Sequence, residues 1–76
     1  MLTINKYFRC CIVEDHGFLY DCKINKEYRL DLDSANSVLT MIAKGKLDET
    51  LSEELKLALT QIGFLYPINN TSTESR

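Results

Sequence analysis

His16 is the only histidine in this 76-residue chain. A general base needs a pocket and an orienting partner. His16 instead lies in Asp15-His16-Gly17, a turn signal, and reads as a solvated turn residue. Ser34 and Ser37 have no second histidine or paired base to activate them, and capping explains them better than nucleophilic catalysis. The carboxylates Asp31 and Asp33, and Glu53 and Glu54, fit solvated faces and a helix N-terminus. Cys10, Cys11 and Cys22 make an odd count with no CxxC spacing. Neighbours on a strand point to opposite faces, so Cys10 and Cys11 suit neither a shared zinc site nor a mutual disulfide. All three read as reduced cytosolic thiols. Walker loops, dinucleotide fingerprints and metal-ligand clusters are missing from the sequence. The expectation is a protein without catalysis, cofactor or metal.

Composition narrows the partners. The formal net charge is -2, so no basic field gathers phosphate backbones, and nucleic acid is disfavoured. A chain of this size buries about 60% of its unfolded surface, enough for one thin core but not for a deep enclosed cavity. The first residues, MLTINKYFRCCIVEDHG, carry Lys6, Arg9, Glu14 and Asp15 and lack the apolar run of about 7–15 residues that a signal peptide needs. Neither a signal peptide nor a membrane span is expected, which points to the cytoplasm.

The elements that hold these residues follow from periodicity. Tyr7–Glu14, YFRCCIVE, reads as a strand with Phe8, Cys10 and Ile12 inward. A three-residue turn at Asp15–Gly17 then pairs Ile12 with Tyr20 and Cys10 with Cys22, and sets Val13 opposite Leu19. In the second strand Phe18, Tyr20, Cys22 and Ile24 share one face. A turn at Asn25-Lys26-Glu27 leads into a third strand, Glu27–Leu32, where apolar Tyr28, Leu30 and Leu32 alternate with Glu27, Arg29 and Asp31. The matching register pairs Ile24 with Tyr28, Cys22 with Leu30 and Tyr20 with Leu32.

At Asp33 the period changes. Ala35, Val38, Leu39 and Ile42 form a helical stripe, with Asp33 or Ser34 as cap and Gly45 as stop. Leu51, Leu55, Ala58, Leu59 and Ile62 form a second stripe, and Leu57 falls outside it. Thr50 and Glu53 have capping-box spacing. Gly63 fits a left-handed C′ position, with Phe64 folding back on Leu59. Lys46–Thr50 offers at most a short middle helix. Residues 1–6 are expected to be a flexible terminus and residues 67–76 a disordered polar tail, in which the Asn69 and Asn70 glycosylation triplets are chance. The third strand is last in its sheet. Its free edge can template an added peptide strand, unless Glu27, Arg29 and Asp31 serve only to protect it.

These features resemble one family. The meander with Leu19-Tyr20-Asp21, then YRLDLDSANSVLTMIAKG, is similar to the PqqD-like domains, the RiPP recognition elements that serve ribosomally synthesised, post-translationally modified peptides. Leu32-Asp33-Ser34-Ala35, Val38-Leu39 and Gly45 match its helix entry, and Ile62-Gly63-Phe64-Leu65 its closing helix. The likeness spans roughly residues 8 to 66; the weak middle helix departs from it. The resemblance implies an α+β, winged helix-turn-helix-like fold. It would consist of a three-stranded antiparallel β-meander followed by two to three α-helices, forming a peptide-binding domain over residues 7–66.

It further implies that the leader segment of a precursor peptide adds as a strand to the third strand, and that a separate, nearby-encoded enzyme then modifies the peptide. Glu27, Tyr28, Arg29, Leu30, Asp31 and Leu32 would supply the edge, and Glu54, Leu55, Ala58, Leu59 and Ile62 the groove. The alternatives are a small winged-helix DNA-binding regulator and a dimerising adaptor module. The first is disfavoured because Leu51–Ile62 carries only Lys56 against Glu53 and Glu54.

Overall fold

Glu14 (φ 50°) and Asp15 (φ 68°) are both left-handed in the computed structural model, which describes residues 2–68. Two central residues of positive φ make the kind of two-residue turn whose twist matches a hairpin. That turn joins β2 (Phe8–Val13) to β3 (His16–Asp21), with Val13 opposite His16 and Cys10 opposite Leu19. The expected pairs Ile12–Tyr20, Cys10–Cys22 and Val13–Leu19 are therefore corrected. The shift is odd-numbered, so β3 turns over. Gly17, Leu19 and Asp21 face the core, while Tyr20, Cys22 and Ile24 are exposed and Phe18 lies half-buried on the opposite face. Gly17 is needed for a different reason from the one its turn position suggests. A Cβ there would lie 2.5 Å from the Ala35 Cβ and 3.0 Å from the Leu30 carbonyl oxygen.

The second hairpin also departs from expectation. A four-residue loop, Cys22–Asn25, leads into β4 (Lys26–Leu30), which pairs Asp21 with Lys26, Leu19 with Tyr28 and Gly17 with Leu30. These replace Ile24–Tyr28, Cys22–Leu30 and Tyr20–Leu32. Asn25 takes a positive φ and its Oδ1 accepts from the Tyr20 hydroxyl (2.8 Å), while the Asp21 carboxylate accepts the Lys23 N–H (3.0 Å). Tyr28 and Leu30 stay inward, as expected.

The strand ends two residues early because Asp31 caps the next helix, in place of Asp33 or Ser34. Its carboxylate accepts the Ser34 hydroxyl (2.6 Å) and the Ser34 N–H (3.3 Å). Leu32 thus becomes the exposed first residue of α1 (Leu32–Lys44) rather than a strand residue facing the core. Ala35, Val38 and Met41 of α1 are buried, and the helix packs on β2 and β3. Gly45 (φ 74°) closes it, as predicted.

Residues 46–52 form no middle helix. Asp48 instead accepts from the Thr50 N–H and hydroxyl, and Leu51 is buried ahead of α2 (Glu53–Gln61). Ser52, not Thr50, caps α2, accepting the Leu55 N–H (3.2 Å). The helix ends as expected. Gly63 (φ 93°) donates its N–H to the Thr60 carbonyl and Phe64 to that of Leu59, the two bonds of a Schellman motif.

Residues 2–4, expected within a flexible terminus, form a strand. β1 (Leu2–Ile4) pairs antiparallel with β5 (Leu65–Pro67), and Asn5 donates through its N–H to the Phe64 carbonyl (2.8 Å) and through Nδ2 to that of Gly63 (3.1 Å). Pro67 falls within β5. The tail and the Asn69 and Asn70 triplets lie outside the described residues, apart from residues 67 and 68. The architecture is a small α+β fold: a three-stranded antiparallel sheet ordered β2-β3-β4, two helices and a two-stranded sheet β1-β5. Its core centres on Phe8, which meets Phe64 edge-on (centroids 5.5 Å) and stacks with Tyr28 (6.4 Å). No helix among the described residues is long and apolar enough to cross a membrane.

Candidate functional site

Among the described residues no strand pairs with the far edge of β4. Which of its backbone groups are free follows from the ladder's phase. The Cys22 N–H donates to the Tyr7 carbonyl (2.9 Å), in register with Arg9 opposite Tyr20. Directly opposed residues in an antiparallel pair alternate between bonded and non-bonded, so even-numbered β3 residues bond β2 and odd-numbered ones bond β4. Tyr28 and Leu30 therefore spend their N–H and C=O groups on Leu19 and Gly17. Glu27 and Arg29 direct theirs outward, leaving two consecutive free rungs.

The side chains divide by face. Tyr28 and Leu30 pack against the core, and the Lys26 ammonium sits 5.6 Å from the Tyr28 ring centroid. Glu27 and Arg29 stand on the opposite face, with the Arg29 guanidinium 5.3 Å from the Phe18 ring centroid. Past the end of β4 the surface opens into a groove of about 510 Å³ between the start of α1 and α2. Its walls include Asp31, Ser34 and Ser37 on one side and Leu51, Leu55 and Ala58 on the other.

Of the residues expected to form the site, the groove brings together Asp31, Glu54, Leu55 and Ala58. It does not reach Glu27, Tyr28, Arg29 or Leu30, which form the adjoining edge. Leu59 is 1% exposed and belongs to the core, and Ile62 packs against that core. Neither Leu59, Ile62 nor Leu32 lines the groove. The sequence reading missed Ser34, Ser37, Thr50, Leu51 and Ser52 as lining residues, along with Asp33 and Asp48. For Ser34, Asp48, Thr50 and Ser52 the signal was capping and turn chemistry, since the starts of the two helices end up beside each other.

The groove is acidic. Asp31, Asp33, Asp48 and Glu54 line it and no lysine or arginine does. The Ser34 hydroxyl, with the Ser34 N–H second, holds the Asp31 carboxyl below its ordinary value. The Thr50 hydroxyl and then its N–H do the same for Asp48. Both stay charged well into mild acid.

The cysteines are free. Burial first, then the neighbouring Cys11, pushes the Cys10 thiol up, which keeps it protonated and a poor nucleophile. No group of three or more His, Cys, Asp or Glu among the described residues could hold a metal ion. Comparison with protein-family models, curated proteins and solved structures found no match to this chain.

Proposed function

We propose that this chain is a non-catalytic recognition protein for the leader segment of a ribosomally synthesised precursor peptide. The leader adds as an antiparallel strand on β4, in a winged-helix-like setting, and the chain presents it to a separate enzyme such as a peptidase, radical enzyme, cyclodehydratase or macrocyclase. The observation that supports this most is the free edge at Glu27 and Arg29 running on into the groove at Asp31, Leu55 and Ala58. Backbone pairing gives affinity, and the groove selects side chains. Leu51, Leu55 and Ala58 suit an apolar leader residue, while the four carboxylates favour a cationic one beside it. Ordering a flexible leader holds affinity to a modest level for the area buried.

The test is an NMR titration with the leader of a precursor encoded beside this protein. Amide shifts should concentrate at 27–31 and at Leu55 and Ala58. Arg29→Pro removes an outward N–H without breaking the β3 ladder and should weaken binding about tenfold or more. Undisturbed amides at high leader excess would sink the reading for that peptide, and duplex DNA shifting α2 would point to a regulator instead.

A further inference from the structure

α1 packs on one face of the β2-β3-β4 sheet, against β2 and β3, and the residues of the opposite face are exposed or half-buried. That outer face carries two three-residue rows, Arg9–Tyr20–Glu27 and then Cys11–Phe18–Arg29, followed by the exposed pair Val13–His16 at the turn. Arg9, Cys10, Cys11, Phe18, Tyr20 and Glu27 line a shallow apolar hollow of about 410 Å³. The two charges at its rim are opposite in sign, and they stand on the two outer strands with Tyr20 between them. The Arg9 guanidinium donates to the Lys6 and Phe8 carbonyls (2.9 and 3.0 Å), and among the described residues neither Arg9 nor Glu27 has an oppositely charged group within 4 Å.

We propose that a second copy of this chain covers this face, the two sheets packing about a two-fold axis parallel to β3. Rotation about that axis lays β2 of one copy over β4 of the other and keeps each row opposite itself. Tyr20 then meets the other Tyr20 and Phe18 the other Phe18, with sheets about 10 Å apart. Arg9 falls opposite Glu27 of the second copy, and Glu27 opposite its Arg9. The register of the sheet thus makes the patch its own complement, which an isologous contact requires. Arg29 stays over its own Phe18. Three strands about 4.8 Å apart give a face small enough for a weak dimer, well below a standard interface. The contact uses the face of the sheet and leaves the β4 edge open, so it does not depend on peptide binding.

Sedimentation velocity over about 10 μM to 1 mM tests it, a range suited to a weak contact. The wild-type chain should show a concentration-dependent dimer. Arg9→Glu alone sets Glu against Glu27, and Glu27→Arg alone sets Arg against Arg9, so each should weaken self-association about tenfold or more. An equimolar mixture of the two variants should regain a dimer within a few-fold of wild type, because both facing pairs are again opposite in charge. That recovery requires both variants to be folded. A wild-type monomer throughout the range would overturn the proposal, as would single variants that dimerise like wild type. Recovery of Glu27→Arg by Arg29→Glu instead of Arg9→Glu would overturn the axis.

Discussion

Gly17 shows how one residue decides the face of a strand. Its missing side chain lets Ala35 of α1 come against the sheet, where a Cβ would sit 2.5 Å away. Gly17→Ala should lower stability by about 1–3 kcal/mol, the usual cost of overpacking, read as the urea midpoint. Ala35→Gly removes the facing methyl, so the double variant should lose less than the sum of the two single losses. Strict additivity would show that the two do not press on each other. At Asp31 the linkage has a definite sign. Its folded pKa lies below its ordinary value near 3.8, so its contribution is present above that pH and is lost as pH falls through the lower, folded value. Asp31→Asn retains a capping oxygen but no charge, and should flatten the acid limb of a thermal-midpoint profile between about pH 6 and 2. An unchanged limb would mean that Asp31 is not held by Ser34. Asp48, held by Thr50, keeps its own share of the acid sensitivity.

At the scale of elements, β4 has two kinds of residue that the sequence alone does not separate. Leu30 belongs to the ladder with Gly17, whereas Arg29 faces its backbone outward. Leu30→Pro should therefore lower the urea midpoint clearly, because it removes a bonded rung and disturbs a side chain packed on the core. Arg29→Pro, on the free side, should leave the midpoint close to wild type. Equal losses at the two positions would reverse the phase derived for this edge. The helices follow simpler rules. Each has a carboxylate or hydroxyl cap and a glycine in the left-handed region at its end, and each cap lies on the groove. Folding chemistry and the acidic lining of the candidate site are thus the same residues.

Across the whole molecule, the ends of the described chain meet. β1 and β5 close a small sheet, and Ile4 enters the core cluster with Phe8 and Leu65. Ile4→Ala should cost about 2–3 kcal/mol by denaturant unfolding, a core-like value for a residue 9% exposed. A loss under about 0.5 kcal/mol would be that of a surface position and would mean that the amino terminus does not hold the fold.

The sequence by itself determined what depends on near neighbours. The buried positions Ala35 and Val38, the ends at Gly45 and Gly63, the return of Phe64 to Leu59, and a third strand left at the edge of its sheet were all legible from spacing within one element. Tertiary structure decided the rest. Between Phe18 and Ile24 apolar residues stand on both faces, so a period of two does not say which face is inward; the close approach of Ala35 to Gly17 and the burial of Leu19 settle it. Turn position was equally undecided, because glycine's freedom pointed to Gly17 while Glu14 and Asp15 took the positive φ angles. Of the candidate site, the edge was readable, but the groove is made by two helix starts brought together from Asp31–Ser37 and Asp48–Ala58. β1 carries no local signal at all, since three residues become a strand only when their partner arrives from the other end of the chain.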